Sequence, residues 1–390
     1  MSAPVLRDSA PSLGGVRQRL VTTTAAQTHL AVCGVAPRSQ DVEQALSWLM
    51  RDLSGPGFWR ECEQQVERAR ALFARLIGAD VGQVAVLPNA SVAAYQAVSR
   101  RRWRRRRDVV ATPAEFPGVA HTWLNQPAAR VRWTGPPGSA VRTADFLPLI
   151  TARTGLVSVP AVTYRDATGL DVARIARAAH DVGAQVFVDA CQAAGVMPLQ
   201  VDALGCDYLV AGAGKYLMGL PGVAFLYVRH PDGPPPALTG WLGRADPHAL
   251  CATVLDWPSH ARRYETGTPC AAAVYAAVAG LWLVSGLDLD QVRRHTQRLI
   301  TTAARRLSAL GEVVRIAVAP DAQGAHLAVV DPQAETLAVW LGDRGVITAP
   351  QAGVLRLAVH AYSTDEDIDV VCDAVASYRR HHHRRSGGIR

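Results

Sequence analysis

The chain has 390 residues, 49% hydrophobic and 19% charged, which describes an ordinary globular protein and excludes a disordered or low-complexity one. Its formal charge is +8, from 41 Lys+Arg against 33 Asp+Glu, and all but one of those cations are arginine. Lys215 is the only lysine, which excludes any mechanism needing two ε-amines, because arginine does not give up its proton to become an amine nucleophile.

The first twenty residues hold no continuous apolar run of the secretory-signal kind. Residues 1–51 read as an N-terminal segment contributing to a small domain or to the active-site entrance. Polar–apolar periodicity predicts a helix over Phe58–Ile77. Short β-branched runs then predict strands at Val84–Leu87, Asp108–Ala111, Val131–Trp133, Leu156–Val159, Gln185–Val188, Tyr208–Val210 and Ala224–Val228. Helical patterns fall between them at Ser91–Arg100, Ala144–Ala152 and Asp171–Val182. Such alternation predicts an α/β protein with a large, doubly wound, mainly parallel sheet over residues 52–286. Within it, Arg100 to Arg107 puts seven arginines in eight positions, broken by Trp103. This run is expected to be a solvated helix end and loop; a grip on phosphates or nucleic acid is the disfavoured alternative.

The longest uncharged stretch, Thr266–Gly286, is rich in Ala and Gly and predicts a buried helix over Ala271–Val284, not a membrane span. Leu287–Leu310 reads as an amphipathic helix. Strands near Val313–Val318, Leu327–Val330 and Leu355–Val359, and a last helix from Thr364, complete a small C-terminal α+β domain over 287–378. The basic tail, 379–390, with histidines at 381 to 383, is expected to be disordered. Seven scattered cysteines with no CxxC pair fit reduced thiols in a cytoplasm, and no metal-ligand spacing appears.

In open α/β sheets, ligands gather beyond the carboxyl ends of the strands. Three features fall at such ends: Asp189 after an apolar strand, Lys215 in the glycine-rich turn Gly212–Tyr216, and Pro88-Asn89-Ala90-Ser91 opening a helix. A carboxylate, an amine and a helix start are the parts pyridoxal phosphate requires, to protonate its ring nitrogen, form its Schiff base and hold its phosphate. A nucleotide loop fails on spacing, since Leu209 stands where the P-loop needs glycine and Tyr216 where it needs Ser or Thr.

The stretch 186–229, VFVDACQAAGVMPLQVDALGCDYLVAGAGKYLMGLPGVAFLYVR, resembles the core of class V aminotransferase-fold enzymes. These are fold type I pyridoxal phosphate enzymes that include cysteine desulfurases, kynureninases, isopenicillin N epimerase-like enzymes and cystine C–S lyases. The likeness spans roughly 28–376. It implies Lys215 as Schiff-base lysine and proton shuttle, Asp189 on the pyridinium, Gln192 as donor to the ring hydroxyl, and Ala90 and Ser91 at the phosphate. Phe116 would stack on the ring, as in kynureninases. Trp241 in Gly240-Trp241-Leu242-Gly243, and Thr268 in Gly267-Thr268-Pro269, would reach the phosphate of a neighbouring subunit, implying a homodimer with shared active sites. Arg356 would clamp a substrate α-carboxylate. Tyr164 faces the ring or substrate, or is purely structural.

Two departures narrow the reading. The interval Gly345–Gly353 lacks the nucleophilic cysteine that desulfurases carry there. The position before the lysine, His or Tyr in relatives, is Gly214, and position 212, often serine, is also glycine; either other groups hold the phosphate or the pocket is roomier. The expected function is therefore a pyridoxal phosphate enzyme acting on an amino acid or amino-acid conjugate, by β-elimination of the C–S lyase type. Transamination and epimerisation are the alternatives. A kynureninase-like hydrolase, a non-catalytic nucleic-acid-binding module and a membrane association are disfavoured.

Overall fold

The computed structural model describes residues 13–21 and 27–386. The first elements are β1 (Thr28–His29), α1 (Gln40–Leu53), α2 (Phe58–Ile77), β2 (Val84–Leu87), α3 (Ala90–Val98), β3 (Asp108–Ala111), α4 (Pro117–Leu124) and β4 (Arg130–Trp133). They continue as β5 (Thr154–Pro160), α5 (Val172–Asp181), β6 (Gln185–Asp189), α6 (Val201–Leu204), β7 (Tyr208–Gly212), β8 (Ala224–Val228) and α7 (Ala271–Ser285). The C-terminal part holds α8 (Leu289–Ala309), β9 (Val314–Arg315), β10 (His326–Val330), α9 (Ala334–Gly342), β11 (Val346–Ile347), β12 (Ala349–Gln351), β13 (Val354–Ala358) and α10 (Asp365–Ser386).

The large sheet runs β2-β8-β7-β6-β5-β3-β4. The strands from β7 to β4 are parallel, while β8 lies antiparallel to both its neighbours. Val157, Val159, Val186 and Val188 pack one face under α2, α5 and α7. Leu156, Phe187 and Val210 pack the other face under α3 and α4. Two-sided burial is why these strands read as unbroken apolar runs instead of alternating ones. Helix α7 is buried along almost its whole length, as its Ala/Gly composition predicts. Among the described residues no single helix is long and apolar enough to cross a membrane.

The smaller sheet, β12-β13-β10-β9, is antiparallel and carries its own core with α8, α9 and α10. The N-terminal segment serves both parts. Strand β1 pairs with β11, whereas α1, capped by Ser39 accepting from Val42 N, packs Val42, Ala45 and Leu49 on α7. Between the two sheets, Tyr216 and Met218 meet Ala31, Val32, Ala358 and Tyr362.

Several expectations shift. The helix expected at 144–152 is two short 3-10 turns, Thr143–Asp145 and Leu147–Leu149, because Pro148 cannot donate the bond an α-helix needs. The strand expected over 313–318 shrinks to Val314–Arg315. The tail expected to be disordered is helical as far as Ser386, and Arg379 is bound by Glu312 and Asp331 at 2.7 Å. In the arginine run, Arg101 bonds Gln185 and lies over the Trp103 ring, and Arg106 bonds the Gly183 carbonyl, so two of the seven brace neighbouring loops and strands.

Candidate active site

Four strand ends converge on one cavity of about 240 Å³. Strand β2 leads through Pro88 into α3, whose N-cap Asn89 accepts from Val92 N at 3.0 Å. This leaves the N–H groups of Ala90 and Ser91 directed outward at the positive end of the helix. Strand β3 leads to Phe116, β6 ends in Asp189, and β7 runs through Gly212 to Lys215. Ala90, Ser91, Phe116, Asp189 and Lys215 all line the cavity.

The lysine turn is fixed by its backbone. Met218 N bonds Lys215 O and Gly219 N bonds Ala213 O, both at 2.9 Å, while Ala36 N reaches across to Gly214 O at 3.0 Å. Lys215 Nζ lies 5.2 Å from the centre of the Phe116 ring. Phe116 in turn meets Tyr164 edge-on at 5.4 Å. Asp189 is buried, and its Oδ1 accepts from Cys191 N at 2.8 Å. An amine, a buried carboxylate, an aromatic face and a hydroxyl-bearing helix start around one cavity form the donor set that fits pyridoxal phosphate.

Five expected residues stand outside this cavity's lining, Tyr164 among them, which meets it only through the Phe116 ring. Gln192 is buried with its Nε2 on the Cys33 carbonyl at 3.0 Å and its Oε1 without a partner. Trp241 and Thr268 line a neighbouring, apolar-walled cavity of about 520 Å³. Thr268 also lines a third one, of about 320 Å³, whose wall shares Pro88, Gly222 and Val223 with the Lys215 cavity. Arg356, on β13, is buried with Nε on Ala349 O at 3.4 Å and Nη1 on Tyr164 O at 3.0 Å. Its Nη2 points toward Gly34, a residue of the cavity wall.

The two glycines differ. A Cβ on Gly212 would meet nothing closer than Cys191 Sγ at 4.0 Å, so that position leaves open room. A Cβ on Gly214 would stand 2.6 Å from Pro221 N. The roomier-pocket reading therefore holds for position 212 alone, and Gly214 is there because the chain passes too close for a side chain.

One acid has no role in the sequence reading. Glu115 is fully buried, accepts from Ser158 Oγ at 2.8 Å through Oε2, and leaves Oε1 without a partner. Burial, and then the neighbouring Asp189 charge, push its pKa up to about 8. Its position directly before Phe116, in the turn that follows a buried strand, was the available signal. Burial, followed by Asp189, also raises the Cys191 thiol, and burial raises that of Cys33, so neither rests as a thiolate. The interval before Arg356 is a hairpin. Strands β12 and β13 pair from Gln351↔Val354 onward, joined only by Ala352 and Gly353 at φ of 46° and 77°.

Residues 51–371 match the family model described as aminotransferase class-V. A Bacillus subtilis protein named uncharacterized aminotransferase YcbU is 33% identical over 93% of this chain and 98% of its own length. A kynureninase of Deinococcus radiodurans is 30% identical over 72% of this chain and 70% of its own. Among solved structures, the cysteine desulfurase CsdA of Escherichia coli superposes with a TM-score of 0.79 at 21% identity, over 93% of this chain and 97% of that one. The cystine C–S lyase C-DES superposes with the same score at 17% identity, over 90% and 98%. At these identities the structural likeness speaks for the fold.

Proposed function

The chain belongs to the aminotransferase class-V family and is a pyridoxal phosphate enzyme, and from that premise we propose that it removes a sulfur-linked β substituent from an amino acid or amino-acid conjugate. Lys215 is the group that would carry the cofactor, with Asp189 holding its ring nitrogen and Ala90 and Ser91 its phosphate. The bound cofactor supplies an electron sink for the pair left when a Cα–H bond breaks.

One observation supports this reading above the others: the titratable groups lining the cavity are Lys215, Asp189 and Cys191, and Lys215 faces the apolar ring of Phe116. Asp189 would be taken up by the ring nitrogen, and burial holds the Cys191 thiol neutral. Lys215 is thus the base that takes the Cα proton, and a two-base epimerisation lacks its second partner. Arg356 would fix the α-carboxylate through the nitrogen directed at Gly34. With the Cα proton on Lys215, the C–S bond breaks and its pair leaves on sulfur, which takes a proton. The unsaturated amine released adds water and falls to a 2-oxo acid and ammonia. The two-residue hairpin where desulfurases carry their cysteine argues against a protein-bound persulfide. The name of the Bacillus subtilis relative favours transamination as the second reading.

The neighbouring cavities support a homodimer with shared sites. Trp241 and Thr268 line them beside exposed Trp59 and Leu250, 63% and 77% accessible, an apolar face that a second copy would bury. All seven cysteines are free thiols, which suits a reducing cytoplasm. Mass spectrometry of products from cysteine S-conjugates and free amino acids, with no keto-acid acceptor present, tests the reaction. Thiol, ammonia and 2-oxo acid in equal amounts support elimination; turnover that requires an acceptor means transamination.

A further inference from the structure

Two buried histidines, His326 on β10 and His360 just beyond β13, clamp the residue next to the reactive lysine. Tyr216 is fully buried at the base of the lysine turn. Its hydroxyl lies 3.3 Å from Nδ1 of His326, the first residue of β10. Its carbonyl lies 3.1 Å from Nε2 of His360, whose ring stacks on it at 6.0 Å. Sequence periodicity offers no reason for a histidine at the start of an apolar strand, and nothing in the proposed chemistry uses one.

His326 is also fully buried, and what surrounds it is the substrate side of the site. Arg356 faces it from β13, Lys215 and Tyr216 from the lysine turn, and the Tyr164 carbonyl from the loop after β5. Burial first, and then the Arg356 charge, push its pKa down to about 3, so the ring is neutral. Burial pushes the Tyr216 phenol up, so that group keeps its proton and donates it. With the phenol as the donor of this pair, Nδ1 is the accepting nitrogen and the proton of the neutral ring sits on Nε2. Nε2 has no hydrogen-bond partner; the Tyr164 carbonyl, which accepts from Arg356 Nη1 at 3.0 Å, is the nearby backbone acceptor.

We propose that His326 is a positioning residue that ties the lysine turn, through Tyr216, to strand β10, whose pairing with β13 (His326↔Ala358, Ala328↔Arg356) carries Arg356, and so fixes the distance between the reactive amine and the group that grips the substrate carboxylate. The amine sits on the large sheet and the guanidinium on the small one, 141 residues apart. One imidazole bridges them. The inference rests on the reading of Arg356 as a carboxylate clamp.

Two probes separate the parts. Aminooxyacetate and hydroxylamine both discharge the visible band of a pyridoxal phosphate-loaded protein, but only the first carries a carboxylate. In the holoenzyme, Arg356→Lys is expected to slow aminooxyacetate and spare hydroxylamine. If it does not, the clamp reading fails, and the proposal with it. Given that control, His326→Phe is expected to lower the aminooxyacetate rate about tenfold relative to hydroxylamine, the scale of one well-placed hydrogen bond. Tyr216→Phe removes a single oxygen, so it carries the test where the histidine variant does not fold; it should produce a loss of the same kind. The double variant should lose no more than the larger single loss. Equal slowing of both reagents, or of neither, overturns the proposal. An independent readout is the ¹⁵N spectrum of the protein. His326 should be neutral with its proton on Nε2 from pH 5 to pH 8, and a proton on Nδ1 or an imidazolium in that range overturns it.

Discussion

The glycines on either side of Ala213 should respond in opposite ways to a single methyl group. At Gly212 the added Cβ enters open space, with its nearest neighbour a thiol sulfur at 4.0 Å. No strained backbone angle is involved, so Gly212→Ala should be neutral or should stabilise by about 0.4–1 kcal/mol through the unfolded chain. At Gly214 the same Cβ would stand 2.6 Å from a backbone nitrogen and 2.9 Å from Pro221 Cδ. Backbone and a proline ring cannot swing aside like a flexible side chain, so the turn itself must shift. Overpacking of that kind costs about 1–3 kcal/mol, and the residue displaced is Lys215. Gly214→Ala should therefore lose stability in urea and bind pyridoxal phosphate more weakly, measured by unfolding of the apoprotein and by titration of the visible band. A Gly214→Ala protein as stable as the parent, with unchanged cofactor affinity, would refute the steric account of this position.

Glu115 should make stability fall with rising pH. Its carboxyl is held up to about 8 in the folded chain against an ordinary value of 4.5. Between those values the unfolded chain is ionised while the folded one keeps its proton, at a slope of up to about 1.4 kcal/mol per pH unit. Glu115→Gln should remove that slope, gaining on the parent from pH 5 to pH 8 in urea midpoints; a constant difference would contradict a protonated Glu115. Arg70 and Glu265 form a buried pair at 2.5 Å, and the same carboxylate oxygen accepts from Val86 N at 2.8 Å. Arg70→Ala leaves that buried charge with only the longer contact to Arg262 Nε, at 4.0 Å, and should cost about 3 kcal/mol in stability, read from the unfolding midpoint. Adding Glu265→Gln should recover part of the loss, and no recovery would mean the arginine matters for packing alone.

Much of the large sheet was legible because its strands are short, apolar and bounded by turn residues. Val84–Leu87, Asp108–Ala111 and Ala224–Val228 occupy the expected residues, as does the helix Phe58–Ile77. What failed had a local cause that was overlooked or a distant one that could not be seen. Pro148 sat inside the stretch read as a helix at 144–152. Ser39, with Asp41 and Glu43 in the turn after it, marked a helix in the N-terminal segment that periodicity alone did not reveal. Lys215, Asp189, Ala90 and Ser91 could be gathered in advance because each stands at or just beyond the carboxyl end of a strand, and such ends meet in this architecture, whereas Phe116 came from the family resemblance. The bond between Tyr216 and His326, across 110 residues and two sheets, has no counterpart in any local pattern. The packing around Gly214 likewise depends on where Pro221 returns in space.

The solitary ε-amine also has a consequence outside catalysis. Acylation or methylation of a side-chain amine, and conjugation to tagging proteins through one, require a lysine, and the one lysine of this chain is half-buried in the cavity where the cofactor would hold it. Any such modification on a side-chain amine would inactivate the enzyme outright, with no harmless surface position to absorb it. The same property makes amine-directed reagents into counters of active sites. Label incorporated at Lys215 should report the fraction of chains whose cofactor is missing, because a cofactor already bound there protects the one side-chain amine.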